Sequence, residues 1–319
     1  MTNPLVANAD VVLHLAAFVD EQQYLFFAPV STTWNKVWGG RSKHTRAVTA
    51  HTLVPQLLES FQVGLKQRGA VCEATARVGR LDLLQCARAY GCPWSNSLYS
   101  KAAEGGHVDV MAWARTYGCP LERHTCDVAA RAGQLKTLQW AHENGCGLDK
   151  VTCGKAAMGG HLVIVQWLRS NGCPWDEATC HGFACGGHWS ALQWARANGC
   201  PWDESTCYGA ALGGHLGILK WARANGCPWD ANTCGDAARG GHLGILKWAR
   251  ANDCPWDANT CGHAAHGGHL DILQWAWAND CAWDGSTCRR AACGGHLEVL
   301  QWARENGCPW DGTTCSKAA

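Results

Sequence analysis

The chain has 319 residues, with 27 basic against 26 acidic side chains and a net charge of +1. Such a balance leaves no sign-biased surface for a nucleic-acid backbone or an anionic membrane to read. No stretch approaches the roughly 20 apolar residues of a membrane span, and the opening MTNPLVANAD has neither the basic nor the apolar part of a secretory leader. Binding to nucleic acid or membrane is therefore not expected, and the expected compartment is the cytoplasm, with the nucleus left open.

Residues 1–45 stand outside any repeat. Val12, Leu13, Leu15, Phe18 and Val19 predict one amphipathic helix, Tyr24 to Pro29 a second short segment, and Thr32 to Trp38 a third. An apolar helix with Asp20 near its end, a Leu-Phe stretch, and then Val30, Ser31, Thr32, Thr33 and Trp34 resemble the F-box family. The family's opening Leu-Pro is absent, and the basic residues of its V-C-R-R-W are replaced. The resemblance implies that Leu13, Leu15, Phe18, Leu25, Pro29, Val30 and Trp34 form a face for a Skp-type adaptor of a cullin ligase. The same segments also read as a helical cap over the first repeat's apolar face, which every stacked array needs.

Residues 39–52, GGRSKHTRAVTAHT, are polar and open on glycine, as linkers do. From Leu53 to Gly79 an imperfect unit is traceable, with Gly64 and Cys72 in phase and Pro55 breaking its helix early. Residues 46–69 thus read as linker and degenerate capping repeat.

From residue 70 onward a 27-residue frame governs the sequence, and a fixed period of this length marks a stacked repeat. One ruler is His107, His161, His188, His215, His242, His269 and His296, with Arg80 and Gln134 at the same phase; a tryptophan falls six residues after Gln134 and after each of these histidines, from Trp113 to Trp302. Within a unit, Cys234, Ala237 and Ala238 share one face of a first helix, begun by Asp230 and Asn232 and ended by two glycines. Ile245, Leu246, Trp248 and Ala249 form the stripe of a second helix. Asn225 and Gly226 supply its left-handed end, which Asp253 and Asp280 replace in two units. Leucine-rich repeats have similar periods but need alternating leucines in a strand, and HLGILKWAR has helical spacing instead. The expected fold is all-α, a helix-pair solenoid preceded by a small helical module.

Counted from His215, the alanines four and five before, the glycine one before, Leu216, Ile218, Leu219 and Gly226 stand where ankyrin repeats carry these residue types. Residues 70–319 therefore resemble the ankyrin-repeat family, as about nine full units plus a truncated one. The period is shorter than the family's ~33 residues, and the shortfall lies where its β-hairpin finger is built. The resemblance implies helix pairs joined by short CPWD turns, with fingers reduced or absent. Ala319 stops inside a first helix, so the sequence reads as a fragment or as ending in a frayed layer.

Eighteen of the 21 cysteines fall on two phases, those of Cys227 and Cys234. Equivalent thiols on stacked helices stand roughly 8–10 Å apart, beyond the reach of a disulfide, so reduced thiols acting as small apolar filler are expected. C-x6-C with a histidine eight residues on is neither finger nor ribbon spacing. No metal, cofactor or catalytic residue is expected, and the chain does not read as an enzyme. The second-helix tryptophans are expected in the core and those of the CPWD turns in structural roles.

Units 215–241 and 242–268 differ at only three positions, and two of these, Asp236 to His263 and Arg239 to His266, lie on the first helix. The same phases hold Lys101 and Glu104, Arg131, Lys155 and Met158, Leu212, and Arg290; the preceding phase holds His181, Tyr208 and Arg289. A constant frame with a varied helix face predicts a protein-binding surface, and neutral drift at exposed positions would give the same pattern. Ankyrin arrays use this helix for recognition, and F-box proteins of this layout act as substrate receptors. The function these resemblances imply is partner capture for a ubiquitin ligase, the alternative being a scaffold with no ligase link.

Overall fold

The computed structural model describes residues 68–310. The expected adaptor face from Leu13 to Trp34, the linker and the truncated final unit lie outside the described residues. All described elements are α-helices, with no strand among them. None is long and apolar enough to cross a membrane. The chain divides into two compact units between Gly147 and Leu148, where Gly147 and Leu148 replace the Pro-Trp of the usual turn.

In the first unit, α1 (Arg68–Arg77) pairs with α2 (Leu81–Ala89), α3 (Leu98–Gly105) with α4 (Val108–Thr116), and α5 (Thr125–Arg131) with α6 (Leu135–Glu143). The second unit holds six pairs: α7 (Lys150–Met158) and α8 (Leu162–Ser170), α9 (Glu177–Cys185) and α10 (Trp189–Ala197), α11 (Glu204–Leu212) and α12 (Leu216–Ala224), α13 (Ala231–Arg239) and α14 (Leu243–Ala251), α15 (Ala258–Gly267) and α16 (Leu270–Ala278), α17 (Gly285–Cys293) and α18 (Leu297–Glu305). In each unit the first helix of a pair packs on the first helix of the next and on its own second helix. This is the helix-pair stack that the 27-residue period predicts.

Asp230, with extended backbone, caps α13 by accepting the Asn232 N–H at 3.0 Å. Asn232 lies inside the helix and is no cap itself; its side-chain amide donates to Asp230 Oδ2 at 2.7 Å. Ile245, Leu246 and Ala249 of α14 are buried against Cys234, Ala237 and Ala238 of α13, so alternate small and branched side chains let the two helices approach closely. The left-handed residue that ends the second helix is a glycine in most units. Asp253 and Asp280 adopt it at φ 63° and 61°, as the short polar side chain permits.

Histidines of the ruler tie neighbouring repeats together, His107 through the Arg77 carbonyl at 3.2 Å. His242 Nε2 donates to the Leu212 carbonyl, 3.1 Å away at the end of α11, and His215, His269 and His296 repeat the bond on Cys185, Arg239 and His266. The double glycine exists because of this ring. A Cβ on Gly214 or on Gly240 would stand 2.7 Å from His242 ring atoms, and the one on Gly240 would also meet the Leu212 oxygen at 2.6 Å.

The second-helix indoles are not core residues. Trp248 and its equivalents are half-buried, because Ile, Leu, Ala and thiols already fill the narrow space between helices. Wherever the preceding turn carries a tryptophan, the second-helix indole lies at the rim in a clasp with it: Trp229 meets Trp248 edge-on at 5.8 Å, Arg223 lies 4.1 Å over Trp229, and Lys220 stands 5.7 Å from Trp248. Trp140, whose turn has Leu121 instead, stacks on Tyr99. The Arg223 guanidinium also donates to the Cys227 carbonyl. Both tryptophan series thus hold the turns by edge-to-face and cation–π attraction.

The described cysteines are free thiols. Equivalent thiols do not touch, but the two phases do: Cys153 Sγ and Cys173 Sγ are 3.5 Å apart. The turn thiol is more than filler, since Cys254 donates to the Asp230 carbonyl at 3.5 Å and Cys281 to that of Asp257 at 3.4 Å. Its hydrogen bond to Cys254, with burial, holds Cys234 well above the ordinary thiol range and keeps it protonated.

Candidate partner-binding face

The first helices of the second unit carry the varied residues in a row. One phase projects outward, with Met158, Arg239 and His266 exposed. The phase three residues earlier is different: Lys155, Asp236, His263 and Arg290 are half-buried. They are therefore not the fully exposed positions on which drift is free.

For two of them a glycine on the preceding first helix opens a seam. A Cβ on Gly235 would lie 2.9 Å from His263 Nδ1, and one on Gly262 would lie 3.0 Å from Arg290 Cδ. His263 thus leans onto α13, and Arg290 reaches back over α15 to donate from Nη2 to Asn259 Oδ1 at 3.0 Å. Asp236, His263 and Arg290 stand on successive helices as an acid, an imidazole and a cation. Burial raises the Asp236 carboxyl above its ordinary range, opposed by the charges of His263 and Arg239. Burial first, and then Arg290, lowers His263. These groups are only partly hydrated, so a complementary group arriving there exchanges little water and interacts in a low local dielectric.

Farther along the row, His181 Nδ1 donates to the Ser205 carbonyl at 2.8 Å, and its ring lies 5.4 Å from that of Tyr208. Leu212 and Arg289 are half-buried on α11 and α17. In the first unit Lys101 and Glu104 pair at 3.5 Å, and Arg131 is exposed at the end of α5. Asn259 and the glycine seats at Gly235 and Gly262 had no signal in the residue pattern beyond their phase, because their role is to accommodate a neighbour. Among the described residues no group of three or more His, Cys, Asp or Glu side chains is placed to hold a metal ion.

No protein-family model matches the sequence, and no curated protein matches it. Among solved structures, the crystal structure of the human ASB11 ankyrin repeat domain is similar with a TM-score of 0.38 and 15% identity, over 49% of this chain and 84% of that one.

Proposed function

We propose that this chain is a non-enzymatic protein-binding array. The row of first helices captures a protein partner, and residues 1–45 dock a Skp-type adaptor that brings the partner to a cullin ubiquitin ligase. The observation that carries the first part is the set of unlike polar groups Asp236, His263 and Arg290 at one half-buried phase of a frame whose packing cysteines and alanines stay constant. Residues that served only stacking would have no reason to differ there. The second part is supported by the pattern of Leu15, Phe18, Pro29, Val30 and Trp34.

The test pairs capture with stability. Proteins are captured on the full chain and on the exchange variant Asp236→His with His263→Asp, which moves two side chains between equivalent seats. The specific partner is expected to bind about tenfold less tightly, a loss of about 1.4 kcal/mol, while Tm is held. Equal capture by both chains overturns the recognition row. Co-purification with the adaptor, lost on Leu15→Asp, supports the ligase connection; its clean absence leaves a scaffold whose first segments cap the stack.

A further inference from the structure

In the second unit every described turn indole is covered by an arginine, with one exception. Arg169, Arg196, Arg223, Arg250 and Arg304 lie 4.4, 4.0, 4.1, 4.3 and 4.5 Å over Trp175, Trp202, Trp229, Trp256 and Trp310. At the junction before the exception, Lys247 adds a second cation 5.8 Å from Trp275. At the Trp283–Trp302 junction both cations are gone, because Trp277 occupies the arginine phase and Gln274 the lysine phase.

Three indoles meet there. Trp277, Trp283 and Trp302 have ring centroids 5.8 to 5.9 Å apart, and Trp277 is 43% exposed. The Cys254 and Cys281 carbonyls each receive a first-helix thiol, from Cys234 at 4.0 Å and Cys261 at 3.9 Å, but only Cys254 also takes a guanidinium, that of Arg250, because α16 supplies no arginine.

The charge of the second helices reverses at the same place. Helices α12 and α14 each carry a lysine and an arginine and no acid. Helix α16 carries Asp271 and no cation, and α18 carries Glu298 and Glu305 against Arg304. Asp271 and Glu298 are exposed where α12 and α14 have Gly217 and Gly244.

The geometry points to this junction as a docking site for an arginine-bearing basic segment of a protein partner, on the second helices rather than on the row of first helices. The indole faces are electron-rich, the exposed carboxylates elsewhere on the same two helices add longer-range attraction for a basic segment, and a stacked guanidinium is the group that the other junctions place over the turn indole. An ammonium fits less well, being compact and more strongly hydrated, with no planar face to stack.

The test uses the full chain and a blocked Gly-Arg-Gly-Arg-Gly peptide, followed by indole fluorescence and calorimetry, with the Lys-for-Arg peptide as comparison. Saturable binding of the arginine peptide is expected, about threefold or more tighter than the lysine peptide. The Trp277→Arg variant places in α16 the residue that α14 carries, so its fold and Tm are kept. It should bind about tenfold more weakly. Equal binding by the variant, equal binding of the two peptides, or no saturation at millimolar peptide overturns the proposal. So does sedimentation showing a self-association that Trp277→Arg dissolves, which would make the occupant a second copy of this chain.

Discussion

Leu246→Ala is expected to lower the stability of the second unit by about 2–5 kcal/mol. The side chain is fully buried in α14, among the alanines and thiols that let neighbouring helices approach closely. Alanine would leave a void that small, already-packed neighbours cannot close, so the cavity cost adds to the lost transfer free energy. Because stability in a stack is a sum of pair and interface contributions, the loss should appear as an earlier transition for the pairs around α14, with the rest of the unit unfolding later. Denaturant unfolding followed by far-ultraviolet circular dichroism checks it, and a loss below about 1 kcal/mol would contradict the packing described.

Gly240→Ala should destabilise by about 1–3 kcal/mol, against the direction that helix propensity gives. Gly240 has φ −78°, a conformation alanine adopts freely, so propensity alone predicts a gain of up to about 1 kcal/mol. The structure predicts the reverse, because the new Cβ would lie 2.6 Å from the Leu212 carbonyl and 2.7 Å from His242 Cδ2. Relieving that contact means moving the imidazole out of its bond to the neighbouring unit. Gly244→Ala is the control: nothing stands within 4 Å of a Cβ there, and α14 should gain about 0.5–1 kcal/mol. Opposite signs for the two substitutions are expected in matched unfolding curves; a common sign would show that the histidine ruler does not set the spacing of the units.

Much of this fold was legible in the residues. The period placed the helix pairs, the double glycine and the Asp253 and Asp280 turns marked their ends, and the small side chains of the Cys234 and Ala237 phases identified the close interface. The tryptophans misled because hydrophobicity and helical phase say only which side of a helix a residue occupies. They do not say how deep it sits, and the narrow seam between α13 and α14 has no room for an indole. The thiols misled in a related way. Comparing equivalent cysteines missed that Cys153 and Cys173, of different phases, are brought to 3.5 Å by the folding back of α8 on α7.

The sequence by itself determined the all-helical repeat, its unit length, and which residues depart from the frame, because periodicity and capping are local and act through near neighbours along the chain. Only the tertiary structure decided where those departures point. Whether His263 and Arg290 sit in seams or in open solvent depends on Gly235 and Gly262 one repeat away, and whether Trp277 joins two other indoles depends on a turn and a helix that follow it. Such placements arise from the approach of whole helices, which the order of residues implies only through their packing.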